Sequence, residues 1–226
     1  MSFAPKTDWI GLGSTEGLVL RSNSENASNT VIQIHGADGT IIGDEQTVVI
    51  KNPTCEYAID GTVNLSAITI GNCYNTPYAL SRLQVSTSAG GEPVVNADAV
   101  QIESGASKTI CTYKMPSIQI TPARHALTFG AVTYTESPAL ALQSGEFECN
   151  GNIQPSTVDG VPVASDAIEG TCTVNLTFWT NSDTEAPAVS VDTNWHITTP
   201  WTCTGADSSM FTWTVGLSRY LSATTV

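Results

Sequence analysis

Glu146 and Glu148 flank Phe147 in "SGEFECN", so an extended chain carries both carboxylates on one face. Paired carboxylates are what glycoside hydrolysis draws on, but a solvated strand face shows the same pattern. His35, His125 and His196 each stand apart, with no second His or carboxylate at a metal or triad spacing. No G-x-S-x-G elbow and no Asp-x-Asp-x-Asp calcium loop occurs. "GLGSTEG" (Gly11 to Gly17) has the glycine spacing of a phosphate loop, yet no strand precedes it and no Lys follows. The six cysteines, Cys55, Cys73, Cys111, Cys149, Cys172 and Cys203, form no C-x-x-C pair and are expected as free, buried thiols. The residues therefore nominate no catalytic group, no metal and no cofactor, and the chain reads as a non-enzyme. Trp179, Trp195, Trp201 and Trp213 could form a sugar-stacking row. Trp213 instead falls on an apolar strand face, and Trp195 and Trp201 fall in a loop-like stretch around Pro200, the better place for subunit contacts.

The elements that must position these residues are strands. "CTVNLTFW" puts Val174, Leu176 and Phe178 on one face, and "MFTWTVGL" does the same with Phe211, Trp213 and Val215. "TVNLSAIT" alternates Val63, Leu65 and Ala67 against Thr62, Asn64 and Ser66. Asp38-Gly39, Asn150-Gly151 and Asp159-Gly160 mark hairpin turns. The best helix candidate is "TPYALSRLQ" (Thr76 to Gln84), with Thr76 as cap and Pro77 at the first turn. The first eleven residues form an arm bearing Phe3 and Trp9, which is expected to dock on its own domain or, as the favoured reading, on a neighbour.

Parts of the chain resemble other parts of it. "TEGLVLRSNSE" (from Thr15) matches "TESPALALQSGE" (from Thr135), and "VIQI" (from Val31) answers "NIQP" (from Asn152). "AIDGTVNL" (from Ala58) matches "AIEGTCTVNL" (from Ala167), and "GASKTICTY" (from Gly105) matches "GADSSMFTW" (from Gly205). Four collinear matches argue for tandem duplication of a unit of roughly 100–110 residues, against the alternative of shared strand composition. The expected fold class is all-β: two tandem, duplicated β-sandwich or barrel units with little helix. The expected organisation is an N-terminal docking arm over 1–11, a first sandwich over 12–118, a linker over 119–129 and a second sandwich over 130–226.

With 8 Lys and Arg against 21 Asp and Glu, the net charge is −13. That balance disfavours gripping nucleic acid by its phosphates. It serves either plain solubility or a surface that must not hold a passing polyanion. No apolar run approaches a membrane span, and "MSFAPKTDWIGLGSTEG" has no apolar h-region, so neither membrane insertion nor a signal peptide is expected.

The second half, "SGEFECNGNIQPSTVDGVPVASDAIEGTCTVNLTFWTN" followed by "PWTCTGADSSMFTWTVGLSRY", resembles the tail tube (major tail) proteins of tailed bacteriophages. The shared features are a strand ending in "GNI", a loop, a polar-apolar strand and a final hairpin, over about 80 residues. The resemblance implies a virion protein, assembled in the host cytoplasm, whose sheets join side by side into a ring. Rings would stack through loops and termini, with other tail proteins as partners and DNA in transit but not stably bound. Two tube-like halves imply three copies per ring with pseudo-sixfold symmetry; one tube-like half implies six. On this reading Phe3, Trp9, Trp195 and Trp201 are interface residues. Asp44, Glu45, Asp159 and Asp166, expected on loops, line an acidic lumen or the ring-stacking surface. The alternatives are a capsid decoration or spike-base trimer, or a cell-surface adhesive module of two sandwiches.

Overall fold

The computed structural model describes residues 7–28, 31–35, 37, 39–46, 50–88, 91–102, 111–116, 118–120, 127–129, 132–133, 137, 139–151, 153–158, 161–166, 170–205, 210–221 and 223–225. It is a β protein with a sandwich character and no α-helix among the described residues. In chain order the strands are β1 (Leu18–Ser28), β2 (Val31–His35), β3 (Ile41–Gln46), β4 (Ile50–Ile59), β5 (Val63–Asn64), β6 (Thr69–Ile70), β7 (Tyr78–Ser88), β8 (Val94–Gln101), β9 (Cys111–Lys114) and β10 (Ile118–Ile120). They continue with β11 (Leu127–Phe129), β12 (Val132–Thr133), β13 (Leu140–Asn150), β14 (Gln154–Val158), β15 (Val161–Asp166), β16 (Gly170–Thr180), β17 (Ser190–Val191), β18 (His196–Thr204), β19 (Phe211–Leu221) and β20 (Ala223–Thr225).

The long strands form one eight-stranded antiparallel sheet, ordered β1-β4-β8-β7-β13-β16-β19-β18. Its amphipathic character follows from the period of two along every strand. Partners in register make the row Leu20–Tyr57–Val95–Val85–Phe147–Val174–Leu217–Ile197, apolar on all eight strands. One residue along lies the row Ser22–Glu56–Asn96–Gln84–Glu148–Thr173–Ser218–His196, polar on all eight. The apolar side is covered by short elements: the three-stranded sheets β11-β10-β5 and β20-β9-β6, the pair β12-β17, and two 3-10 turns at Leu12–Ser14 and Leu65–Ala67. Tyr113 of β9 packs so closely on β16 that a Cβ added at Gly170 would lie 2.8 Å from its ring. One core results, with residues from both halves of the chain: Tyr57, Leu83 and Tyr113 are buried with Phe147, Phe178 and Leu217.

The halves share this sheet through the β7–β13 pairing, and the C-terminal strand β20 pairs with β9 of the first half. The expected linker contributes β10 and β11, and β10 pairs with β5. The chain's first four sheet strands are ordered β1-β4-β8-β7 and the last four β13-β16-β19-β18. In each set the first strand in sequence pairs with the second, and the fourth lies between the second and the third. A two-stranded hairpin, β2-β3 or β14-β15, interrupts each set after its first strand. The register slips at matching places, between Leu20 and Ser22 and between Leu142 and Ser144.

Several local expectations need correction. Thr76 to Gln84 is not helical: β7 starts at Tyr78, because Leu83, Val85 and Thr87 alternate into the core against Arg82, Gln84 and Ser86. "TVNLSAIT" is not one strand. The Asn64 side chain accepts from the Ser66 amide at 3.1 Å, and the chain turns into a 3-10 segment that leaves Ala67 exposed. The two "TVNL" stretches thus occupy different settings, β5 and its following turn in the covering layer and the middle of β16 in the main sheet. The same holds for "CTY" in β9 and "FTW" in β19. Asn150-Gly151 is no tight hairpin turn: β13 pairs with β7 and β16, and the Gly151 amide donates to the Ser81 carbonyl at 2.9 Å.

The cysteines also depart from expectation. Cys149 and Cys172 lie directly opposite on β13 and β16 and form a disulfide. Cys55, Cys73 and Cys203 are free thiols, and burial pushes the thiols of Cys55 and Cys73 up from their ordinary pKa. At the matching place in the first half Ala27 faces Lys51, so the bridge has no counterpart there.

Candidate functional site: the polar face of the main sheet

The solvent side of the main sheet is polar across all eight strands, and its centre is the seam where β7 meets β13. Arg82 on β7 is the pivot. Its Nη1 donates to Asp98 of β8 at 2.9 Å and its Nη2 to Glu148 of β13 at 2.9 Å. Those two carboxylates, Glu148 first, hold the guanidinium well above its usual pKa. The Thr54 hydroxyl also donates to Asp98 at 2.9 Å, and Gln84 donates to Glu146 across the seam. Strand register places Glu56, Asp98, Glu146 and Glu148 on this face around the single guanidinium of Arg82. Beside the seam a shallow depression of about 370 Å³ is lined by Ser86, Ser144, Gly145, Glu146, Asn175 and Thr177.

Arg82→Met should cost about 1–2 kcal/mol, since the clamp is only about a third exposed and leaves two facing carboxylates unpaired. Urea denaturation at low and at high salt checks this. The deficit should shrink as salt screens the Asp98–Glu148 repulsion, and a salt-independent deficit would assign the loss to packing.

The edge strand β1 is tied down by its own charges. The Tyr78 hydroxyl donates to Glu25 at 2.7 Å, and Lys51 pairs with the same carboxylate at 3.2 Å. The Tyr78 hydrogen bond, and then Lys51, lower the Glu25 pKa against the opposing effect of desolvation. Burial, and then Glu25, push Tyr78 up to about 12.

The residues singled out from sequence fall as follows. Phe3 and Asp159 lie outside the described residues. Trp9 docks on its own chain, edge-on to Tyr78 with ring centroids 6.2 Å apart. Trp195 is 5% exposed and belongs to the chain's own core. Trp201 packs against that core, 6.0 Å from Phe178 in a tilted arrangement. Asp44 and Glu45 are on β3 and Asp166 is on β15, so all three sit in strands of the two separate hairpins and not in loops. Glu146 and Glu148 do share one strand face, with Phe147 buried beneath them. They act as partners of Gln84 and Arg82. His196 opens the edge strand β18 in an exposed position. Among the described residues no group of three His, Cys, Asp or Glu could hold a metal ion. No described helix is long and apolar enough to cross a membrane.

Sequence reasoning missed Arg82 and Asp98 because it placed Arg82 on a helix. The signal was present as two alternating runs, "RLQVSTS" and "VVNADAV", whose polar members face each other in β7 and β8. The chain matches no protein-family model, and no curated protein sequence matches it.

Proposed function

We propose that the protein is a self-assembling structural component of a virion, whose copies join sheet to sheet into rings that stack as a tail tube for DNA passage. The observation that carries this reading is the row Ser22–Glu56–Asn96–Gln84–Glu148–Thr173–Ser218–His196, polar across all eight strands and acidic on balance. A ring lined by such a face is wetted and repels phosphates, so a polyanion slides past without being held. The two outer strands, β1 and β18, are long and lack a second neighbour among the described residues. The register slips of both strands and Pro200 of β18 blunt part of these edges, and the stretches Ser22–Ser28 and Thr202–Thr204 lie beyond them.

The repeated strand order favours a duplicated unit and hence three copies per ring. Three eight-stranded sheets give a barrel about 48 Å across at the backbone, from a strand spacing of about 4.8 Å and a tilt of about 40°. That leaves room for a solvated duplex after side chains are added. The hairpins β2-β3 and β14-β15, which carry Asp44, Glu45 and Asp166, are the elements on which rings would stack. No residue is assigned a catalytic role.

Electron microscopy of the purified protein tests the reading. Rings of three copies and stacked tubes are expected, while a monomer at every concentration overturns it. Attachment to phage heads instead of tubes would favour a capsid decoration protein.

A further inference from the structure

The internal seam predicts the joint between copies residue by residue. In that seam Glu146 lies opposite Ser86, Phe147 opposite Val85, and Glu148 opposite Gln84. Strand β1 holds in the first set the place of β13 in the second, and the shared register slip aligns Ser22 with Ser144. Strand β18 holds the place of β7. Cys203 faces Trp213, which faces Phe178, just as Val85 faces Val95, which faces Tyr57. Tyr57 and Phe178 in turn face Leu20 and Leu142, the residues before the two slips.

We infer that β18 of one copy pairs antiparallel with β1 of the next, with Ser24 opposite Thr204, Glu25 opposite Cys203 and Asn26 opposite Thr202. The inference rests on the ring-forming reading above. The occupant of each free edge is a second copy, because the same chain already makes this joint once within itself. The edge also bears an uncovered apolar residue. Ile197 faces Leu217 as Leu80 faces Ala99, yet Ile197 is 50% exposed where Leu80 is buried.

The two joints differ in chemistry. At the outer one Asp98 is replaced by Gly216, its partner Arg82 by Thr199, and Glu148 by Asn26. The Asp98–Arg82–Glu148 clamp therefore has no equivalent there. The outer joint holds by main-chain hydrogen bonds, and the one charged side chain in this stretch, Glu25, is already held within its own copy by Tyr78 and Lys51, so no ion pair crosses the joint.

The test uses the full chain with C203S as background, which removes the neighbouring thiol. Two in-register pairs, S24C/T204C and N26C/T202C, are compared with two diagonal pairs, S24C/T202C and N26C/T204C. Directly opposed Cβ atoms lie about 4.5–5.5 Å apart and diagonal ones about 7–8 Å apart, against about 3.5–4.5 Å in a disulfide. Under mild oxidation the in-register pairs should give intermolecular disulfides about fivefold faster than the diagonal pairs. Light scattering on the uncrosslinked parent reports oligomer size separately. Oligomers whose diagonal pairs crosslink as fast or faster overturn the register and leave the ring reading standing. A parent that stays monomeric, with no pair crosslinking, overturns both.

Discussion

Replacing Phe147 with alanine is expected to lower the stability of the whole molecule by about 3–5 kcal/mol. Phe147 is fully buried on β13, between Val85 of β7 and Val174 of β16 in the apolar row that spans all eight strands. Truncation leaves a cavity at the place where the two halves of the chain meet. Because one core runs through both halves, its loss should be felt on either side of the seam. Urea denaturation followed by tryptophan fluorescence gives the magnitude. Hydrogen exchange of β4 and β19 peptides gives the reach, and both should lose protection together. Loss confined to β16 and β19 would mean two independent cores, and the expectation would fail.

Asp8→Ala is expected to cost about 3 kcal/mol although it removes one small surface carboxylate. That carboxylate accepts the Gly11 amide at 2.8 Å, the Gly13 amide at 2.7 Å and the Tyr57 hydroxyl at 2.6 Å. The Asp8 carbonyl accepts from Asn75 at 3.0 Å. Gly11 has φ 86°, a left-handed value that lets the chain fold back over its own acceptor. Tyr57 is fully buried, so alanine leaves its desolvated hydroxyl with only the weak Cys55 sulfur as a partner, together with two amides without their acceptor. Burial, and then the Asp8 carboxylate, raise the Tyr57 pKa well above the phenol range. The reverse change, Tyr57→Phe, should cost only about 1 kcal/mol, since Asp8 keeps its backbone donors. Denaturation of both variants checks the asymmetry. Limited proteolysis should cut the Asp8→Ala arm near Trp9 before any other site; equal costs for the two variants would contradict the account.

What was legible in the sequence is what depends on near neighbours. Alternation in "CTVNLTFW" put Val174, Leu176 and Phe178 in the core, and all three are buried. The Asp38-Gly39 signal marked the β2–β3 hairpin, and the excess of Thr, Val and Ser over helix formers marked the β class. These are consequences of a two-residue period and of turn geometry, which a dozen residues determine. The order of strands in the sheet was not legible, because pairing partners such as Arg82 and Asn150 are 68 positions apart in the numbering. The repeated strings misled for the same reason. Only tertiary contacts decide that one "TVNL" is the two-residue strand β5 turning into a 3-10 segment at Leu65 and the other the centre of β16. Trp9 and Trp195 looked available for partners because sequence reports size and polarity, not what lies above a ring. The fold placed Tyr78 against the first and buried the second. The Arg82 clamp, the Cys149–Cys172 bridge and the outer edges at β1 and β18, which lack a second neighbour among the described residues, likewise exist only once the sheet is assembled. Each is a relation between strands, and no single strand encodes it.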